Sequence, residues 1–168
     1  MFQSTDQPDT LDTPQGNPKA KFLLVAILAI ACFVGWRYFG PRNALASAGF
    51  DEDWDKSVEQ SRASGKPALV LFTADWCPAC RQFEGDALAD ADVQRYIREK
   101  FTPVIVDLSH QGGPNDERAR DCKVRFIPTM ILYDTRGRVC ARTGGMPGNM
   151  LLMWLESSGT AARFAPRR

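Results

Sequence analysis

A short run of apolar, β-branched and aromatic residues, Ala68-Leu-Val-Leu-Phe-Thr73, leads almost directly into Trp76-Cys-Pro-Ala-Cys80. The run has the length and composition of a strand buried on both faces. A helical stretch is expected to follow it, from about Cys77 to Lys100. Together these place the first sulfur at a helix N-terminus, where unsatisfied backbone N–H groups and the helix dipole favour an anion. Pro78 suits the first helical turn, since its missing N–H has no intrahelical partner to lose there. Two thiols at this spacing can close a disulfide with little rearrangement, and the outer one can attack a foreign disulfide while the inner one resolves the product. Cys77 is therefore the expected nucleophile and Cys80 the resolving thiol.

Other uses of a Cys-x-x-Cys pair fit less well. A structural zinc site wants a second pair at similar spacing, and Cys122 and Cys140 have 17 residues between them. With one histidine, His110, no site can draw on two histidines of one chain, and His110 receives no role. Five cysteines in 168 residues are too few for a disulfide scaffold, so a hydrophobic core must hold the fold. Cys122 and Cys140 are read as small buried residues, with a second disulfide between them as the alternative. The chain carries 21 basic and 20 acidic residues, a balance that lacks the concentrated positive surface of a nucleic-acid binder. No metal or organic cofactor is called for, because the cysteine pair is itself a redox centre.

Along the rest of the chain, Asp51 to Ser64 has a modest helical pattern stopped by Gly65-Lys66-Pro67. Phe101 to Leu108 reads as a second buried strand, Asp116 to Lys123 as a short helix, and Met130 to Tyr133 as a third strand. Asp134-Thr-Arg-Gly137 turns into a hairpin partner over Arg138 to Thr143. Met150 to Glu156 closes the domain as a helix. Strands alternating with helices, then a hairpin and a last helix, predict an α/β fold with a mixed central sheet flanked by helices.

The amino-terminal part differs in kind. Residues 1–21 are polar and proline-bearing, the composition of a flexible tail. Residues 22–40 form an apolar stretch of 19 residues, interrupted only by Arg37. As a helix that stretch is roughly 28 Å long, near the thickness of a bilayer's hydrocarbon core. Trp36, Tyr38 and Phe39 would make an interfacial aromatic cluster. The expected organisation is a tail (1–21), a transmembrane anchor in lipid (22–40), a linker (41–48), a folded domain (49–158) and a C-terminal tail (159–168). Cleavage after Ala44-Leu45-Ala46, or lipidation at Cys32, are the rival readings of the apolar run. Lys19 and Lys21 on one flank match Arg37 and Arg42 on the other, so charge leaves the orientation open.

Trp76-Cys-Pro-Ala-Cys80 after Leu71-Phe-Thr-Ala-Asp75, with Ile127-Pro128-Thr129 some fifty residues on, resembles the thioredoxin superfamily. Within it, the chain is most similar to the C-terminal periplasmic domain of the DsbD type and to membrane-anchored thioredoxin-like proteins. The likeness covers roughly Phe50 to Ser158. It implies a thioredoxin fold, a cis peptide bond before Pro128, and substrate binding along Trp76, Pro78, Pro128 and the backbone of Ile127. It further implies a thiol–disulfide oxidoreductase that reduces or relays electrons to disulfides. Its partners would be oxidised proteins, including those of cytochrome c maturation, and a membrane thiol donor. The implied protein is monomeric and single-pass in the bacterial inner membrane, with its redox domain in the periplasm. A disulfide oxidase or isomerase, or a non-catalytic adaptor or chaperone, are the alternatives.

One position departs from the pattern. Many thioredoxins carry a buried aspartate six residues before the first cysteine, and Leu71 stands there. On a helix, Cys77, Cys80 and Glu84 share one face, and the DsbD type has a glutamate at the matching place. Glu84 is accordingly the candidate proton acceptor for Cys80, a surface carboxylate being the other reading. Asp75 is expected to be a loop-surface charge.

Overall fold

The computed structural model describes residues 18–39 and 43–163. It falls into two units, residues 1–40 and 41–168, and among the described residues the strands lie in the second. Helix α1 (Pro18–Phe39) is the described part of the first unit, and its apolar side chains from Phe22 to Val34 are exposed. Helix is present from Pro18, inside the segment expected to be tail. Among the described residues no helix is long and apolar enough to cross a membrane. Residues 1–17, 40–42 and 164–168 lie outside the described residues, as do the side chains of Trp36, Arg37, Tyr38 and Phe39.

In the second unit, strand β1 (Ala68–Thr73) is buried at every position. It lies in the interior of a four-stranded sheet ordered β2-β1-β3-β4, where β2 is Thr102–Asp107, β3 is Thr129–Tyr133 and β4 is Val139–Gly144. β1 runs parallel to β2, with Leu71 opposite Ile105, and antiparallel to β3, with Leu71 opposite Met130. β4 pairs antiparallel with β3 at the edge. Alternation along β1 divides its side chains between two cores. Leu69 and Leu71 join Met130 and Leu132 on one face, and Val70 and Phe72 join Val104, Val106 and Ile131 on the other.

Helices cover both faces. The first face packs against α4 (Pro78–Asp86), α5 (Ala91–Lys100) and α7 (Gly148–Arg163), through Phe83, Val93, Ile97, Leu151 and Leu155. The second lies against α3 (Trp54–Ser64) and α6 (Pro114–Asp121), where Trp54 and Ala119 reach the sheet. α3 has a clear local code. The Asp53 side chain caps it by accepting from the Lys56 N–H, and Gly65 ends it in the left-handed conformation at φ +68° that glycine tolerates best.

Three boundaries differ from expectation. The single helix predicted over 77–100 is two, because the Asp90 carboxylate accepts from the Asp92 and Val93 N–H groups and starts α5 afresh. Much of the segment read as a linker is α2 (Asn43–Ser47) and part of the core, with Leu45 and Ala48 buried. The closing helix runs on to Arg163, so residues 159–163 are not tail, and Ala162 is buried.

Candidate active site

The buried end of β1 delivers the chain to Ala74, and a tight turn, in which the Cys77 N–H donates to the Ala74 carbonyl, sets Cys77 at the N-cap of α4. Cys77 and Cys80 are joined by a disulfide with 5.3 Å between their Cα atoms. Cys77 Sγ accepts from the Cys80 N–H at 3.1 Å. The sulfur of the first cysteine thus occupies the position that a helix N-terminus offers to an anion. Both cysteines are buried together with Ala74, against Leu108 and Ile127. Trp76 beside them is 63% exposed, and Pro78 is exposed as the first residue of α4.

The motif at 127–129 comes to the same place. The Ile127–Pro128 peptide bond is cis, and Cys77 Sγ lies 3.8 Å from the Ile127 carbonyl oxygen across 50 residues of sequence. The Thr129 hydroxyl donates to the Phe126 carbonyl at 2.6 Å and ties the start of β3 to the turn before it. Cys77 therefore faces the Ile127–Pro128 turn, with Trp76 and Pro78 its neighbours in the chain. The loop itself is clamped from two sides. The Asp75 N–H donates to Ser109 Oγ at 2.7 Å, and Ser109 in turn donates to Asp107. Arg81 reaches back to the Asp75 carbonyl and lies 3.6 Å from its carboxylate. Asp75 is exposed, as expected of a loop charge.

Glu84 is 4% exposed, not a surface residue. It sits one helical turn beyond Cys80 on the buried side of α4 and accepts a hydrogen bond from Thr73 Oγ1 at 2.6 Å. Leu71 is fully buried on the face of β1 that α4 covers, and Thr73, two residues on, points to that same face. A buried acid thus stands on the helix, held by a strand hydroxyl, while the strand itself carries Leu71. Sequence reading had not singled out Thr73, Ser109 or Phe126. The period-two alternation that buried Leu71 already aimed Thr73 at the helix, whereas nothing local announced Ser109.

The remaining thiols stand apart. Cys122 and Cys140 are both free, so the second disulfide considered from sequence is not formed. Cys122 Sγ lies 3.0 Å from the Tyr133 hydroxyl, and burial followed by that contact pushes the phenol well above its ordinary value. Cys140 is on the exposed edge strand, where partial burial of its sulfur and the charge of Asp134 raise its thiol. Held protonated, Cys140 is a poor nucleophile. Cys32 lies exposed on α1. His110 is exposed in the loop after β2. Among the described residues no group of histidine, cysteine and acidic side chains could hold a metal ion.

Residues 54–159 match the family model of thioredoxin-like domains. The chain belongs to the thioredoxin-like family. Among its relatives, the thiol:disulfide interchange protein DsbD of Actinobacillus pleuropneumoniae is 31% identical over 97 residues, 56% of this chain and 16% of that protein. The DsbD of Yersinia enterocolitica is 27% identical over 147 residues, 82% of this chain and 25% of that protein. The chain thus spans a quarter or less of the length of these curated relatives. Among solved structures, a thioredoxin from Thermus thermophilus superposes with a TM-score of 0.60 at 23% identity, covering 66% of this chain and 87% of that one. The oxidised C-terminal domain of Neisseria meningitidis DsbD gives 0.57 at 17% identity, covering 66% and 99%. At those identities the superpositions speak for the thioredoxin fold alone.

Proposed function

We propose that this chain is a thiol–disulfide oxidoreductase that reduces, or relays electrons to, disulfides of periplasmic proteins through Cys77 and Cys80. The observation that carries the reading is the Cys77–Cys80 disulfide at the N-terminus of α4, with Cys77 facing the Ile127–Pro128 turn. In the reduced protein the Cys77 thiolate attacks one sulfur of a target disulfide. A Cys77–target bond forms, the target's S–S bond breaks, and its second sulfur leaves as a thiolate. Cys80 loses its proton to Glu84, attacks Cys77 Sγ and expels the first target sulfur, so two electrons have passed to the target. A dithiol donor protein then reverses the same steps to restore the two thiols. Trp76, Pro78, Pro128 and the Ile127 backbone border the point of attack and would seat the target.

Anchorage in the bacterial inner membrane through residues 22–40, with the redox domain in the periplasm, belongs to the same proposal. It is supported by the uncharged run Phe22 to Trp36, by the helical state of α1 with its apolar side chains turned outward, and by similarity to the DsbD proteins. A monomer is the expected state of the redox domain.

Trapping tests the reading. Cys80→Ser should accumulate mixed disulfides with target proteins on non-reducing gels, because the resolving thiol is gone. Cys77→Ser should accumulate none. Equal trapping by both variants would remove the assignment of nucleophile. The reduction potential of the pair settles direction: a value near −270 mV, as in thioredoxin, marks a reductant, and one near −120 mV an oxidant.

A further inference from the structure

The main chain that leads into Cys77 is held by identifiable partners. The Thr73 carbonyl accepts from the Leu108 N–H at 2.8 Å, and the Ala74 carbonyl accepts from the Cys77 N–H at 3.2 Å. The Asp75 carbonyl accepts from Arg81 Nε at 3.4 Å, and the Asp75 N–H donates to Ser109 Oγ at 2.7 Å. The first three bonds come from main chain or from α4 itself. The last comes from a side chain 34 residues away in sequence.

Ser109 is oriented for that bond by its neighbours. Asp107 Oδ1 accepts both the Ser109 N–H, at 2.8 Å, and the Ser109 hydroxyl. The hydroxyl proton is thereby committed to a carboxylate, and the oxygen keeps its lone pairs for the Asp75 N–H. A bond to a carboxylate also polarises the hydroxyl and makes its oxygen a stronger acceptor. Asp107 is fixed in turn, as the last residue of β2, paired with Thr73, and through its carbonyl, which accepts from Asn115 Nδ2 at 2.8 Å. Between Asp107 and Ser109, Leu108 packs against the cluster of Ala74, Cys77 and Cys80. Residues 107–109 therefore hold the loop at two points, by an apolar contact at the cysteines and by a polar one two residues before Cys77.

We propose that Ser109 is a positioning residue of the redox centre. Its hydroxyl, aimed by Asp107, fixes the Ala74–Asp75 peptide so that Cys77 is presented to an incoming disulfide. A sulfur held near its line of attack spends less of its time in unreactive arrangements, and releasing the loop forfeits that advantage. The inference rests on the oxidoreductase reading above and adds to it a residue that acts through the loop rather than on the reacting sulfurs.

Attack on dithiobis(nitrobenzoate) by the reduced full chain carrying Cys80→Ser isolates the first step. Cys77 bonds to one probe sulfur, the probe's S–S bond breaks, and thionitrobenzoate leaves. Reaction of the other thiols is read from the same chain with Cys77→Ser and subtracted. Ser109→Ala should slow the step about three- to tenfold, the scale of one lost hydrogen bond, and Ser109→Thr, which keeps the hydroxyl, should restore it to within about twofold. Asp107→Asn keeps an acceptor oxygen without the charge and should fall between Ser109→Ala and the unaltered loop. Hydrogen exchange at the Asp75 amide should quicken in the same order. Asp134→Ala, in the distant turn between β3 and β4, should lower stability yet leave the attack rate as it is. A Ser109→Ala rate equal to that of the unaltered loop, or an equal loss in Asp134→Ala, would overturn the assignment. If the oxidoreductase reading itself were wrong, the unaltered reduced protein would leave bis(2-hydroxyethyl) disulfide unreduced while Asp75 exchange still followed Ser109, which separates the two failures.

Discussion

Glu84 is the residue on which chemistry and fold meet. It is buried on the cysteine side of α4 and bonded to Thr73, where thioredoxins with an acid in the strand would have no need of it. A carboxylate one turn from Cys80 can take the resolving thiol's proton, and its negative charge opposes formation of a second anion nearby. Glu84→Gln is therefore expected to move the pH profile of Cys77 alkylation to lower pH and yet slow the release of target from the mixed disulfide. A packing role alone would not move both in opposite senses. Stopped-flow measurement of the resolving step between about pH 6 and 8 checks it, within the usual 10²–10⁴-fold range of general base effects. Unchanged titration and unchanged resolution would make Glu84 structural. The helical spacing of Cys77, Cys80 and Glu84 was legible in sequence, because all three lie on one helix. Its bond to Thr73 was not, since that depends on which strand face α4 covers.

The β3–β4 hairpin shows how much one turn residue can hold. Asp134 is buried and accepts from the Arg136 and Arg138 backbone N–H groups and from Arg138 Nε at 2.8 Å. Burial pushes its carboxyl up, but the Arg138 and Arg136 bonds outweigh that and leave it below its ordinary value. The carboxylate's contribution to stability is thus full above the unfolded value near 3.8 and is lost as pH falls through the lower folded value. Asp134→Ala is expected to cost about 1–3 kcal/mol in denaturant unfolding at neutral pH, with the half-exposed Arg138 guanidinium contributing the smaller share. The difference from the unaltered protein should shrink in acid. Among the helices, α7 carries a sharper constraint. A Cβ on Gly159 would lie 2.7 Å from Cζ of Phe101, which is itself 2% exposed. Helix propensity favours Ala there by about 0.5–1 kcal/mol, whereas overpacking costs about 1–3 kcal/mol. Steric cost should win, so Gly159→Ala should lower the melting temperature, and Phe101→Leu should relieve part of the loss. A higher melting temperature for Gly159→Ala would mean that Phe101 can move aside.

For the whole molecule, the proposed arrangement is a redox domain tethered by α1. The full chain should stay with the membrane pellet after an alkaline wash, and mature protein beginning at Ser47 or Cys32 would instead point to processing. Much of this organisation follows from sequence alone, for a physical reason. Strand burial, helix caps and the seat of a thiolate at a helix start are set by neighbours within a few residues, so Ala68–Thr73 and Cys77–Cys80 could be read directly. The Asp90 cap obeys the same local rule and was readable, though the long helical pattern around it obscured the break. Pro128 was placed by its family motif, fifty residues from the site it joins. Only the tertiary structure decided what lies across those gaps. It left Cys122 and Cys140 unbonded, drew Leu45 and Ala48 into the core, and put Thr73 against Glu84. Each of these depends on the order and direction of strands in the sheet, which decides which distant side chains share a face, and no local periodicity records that order.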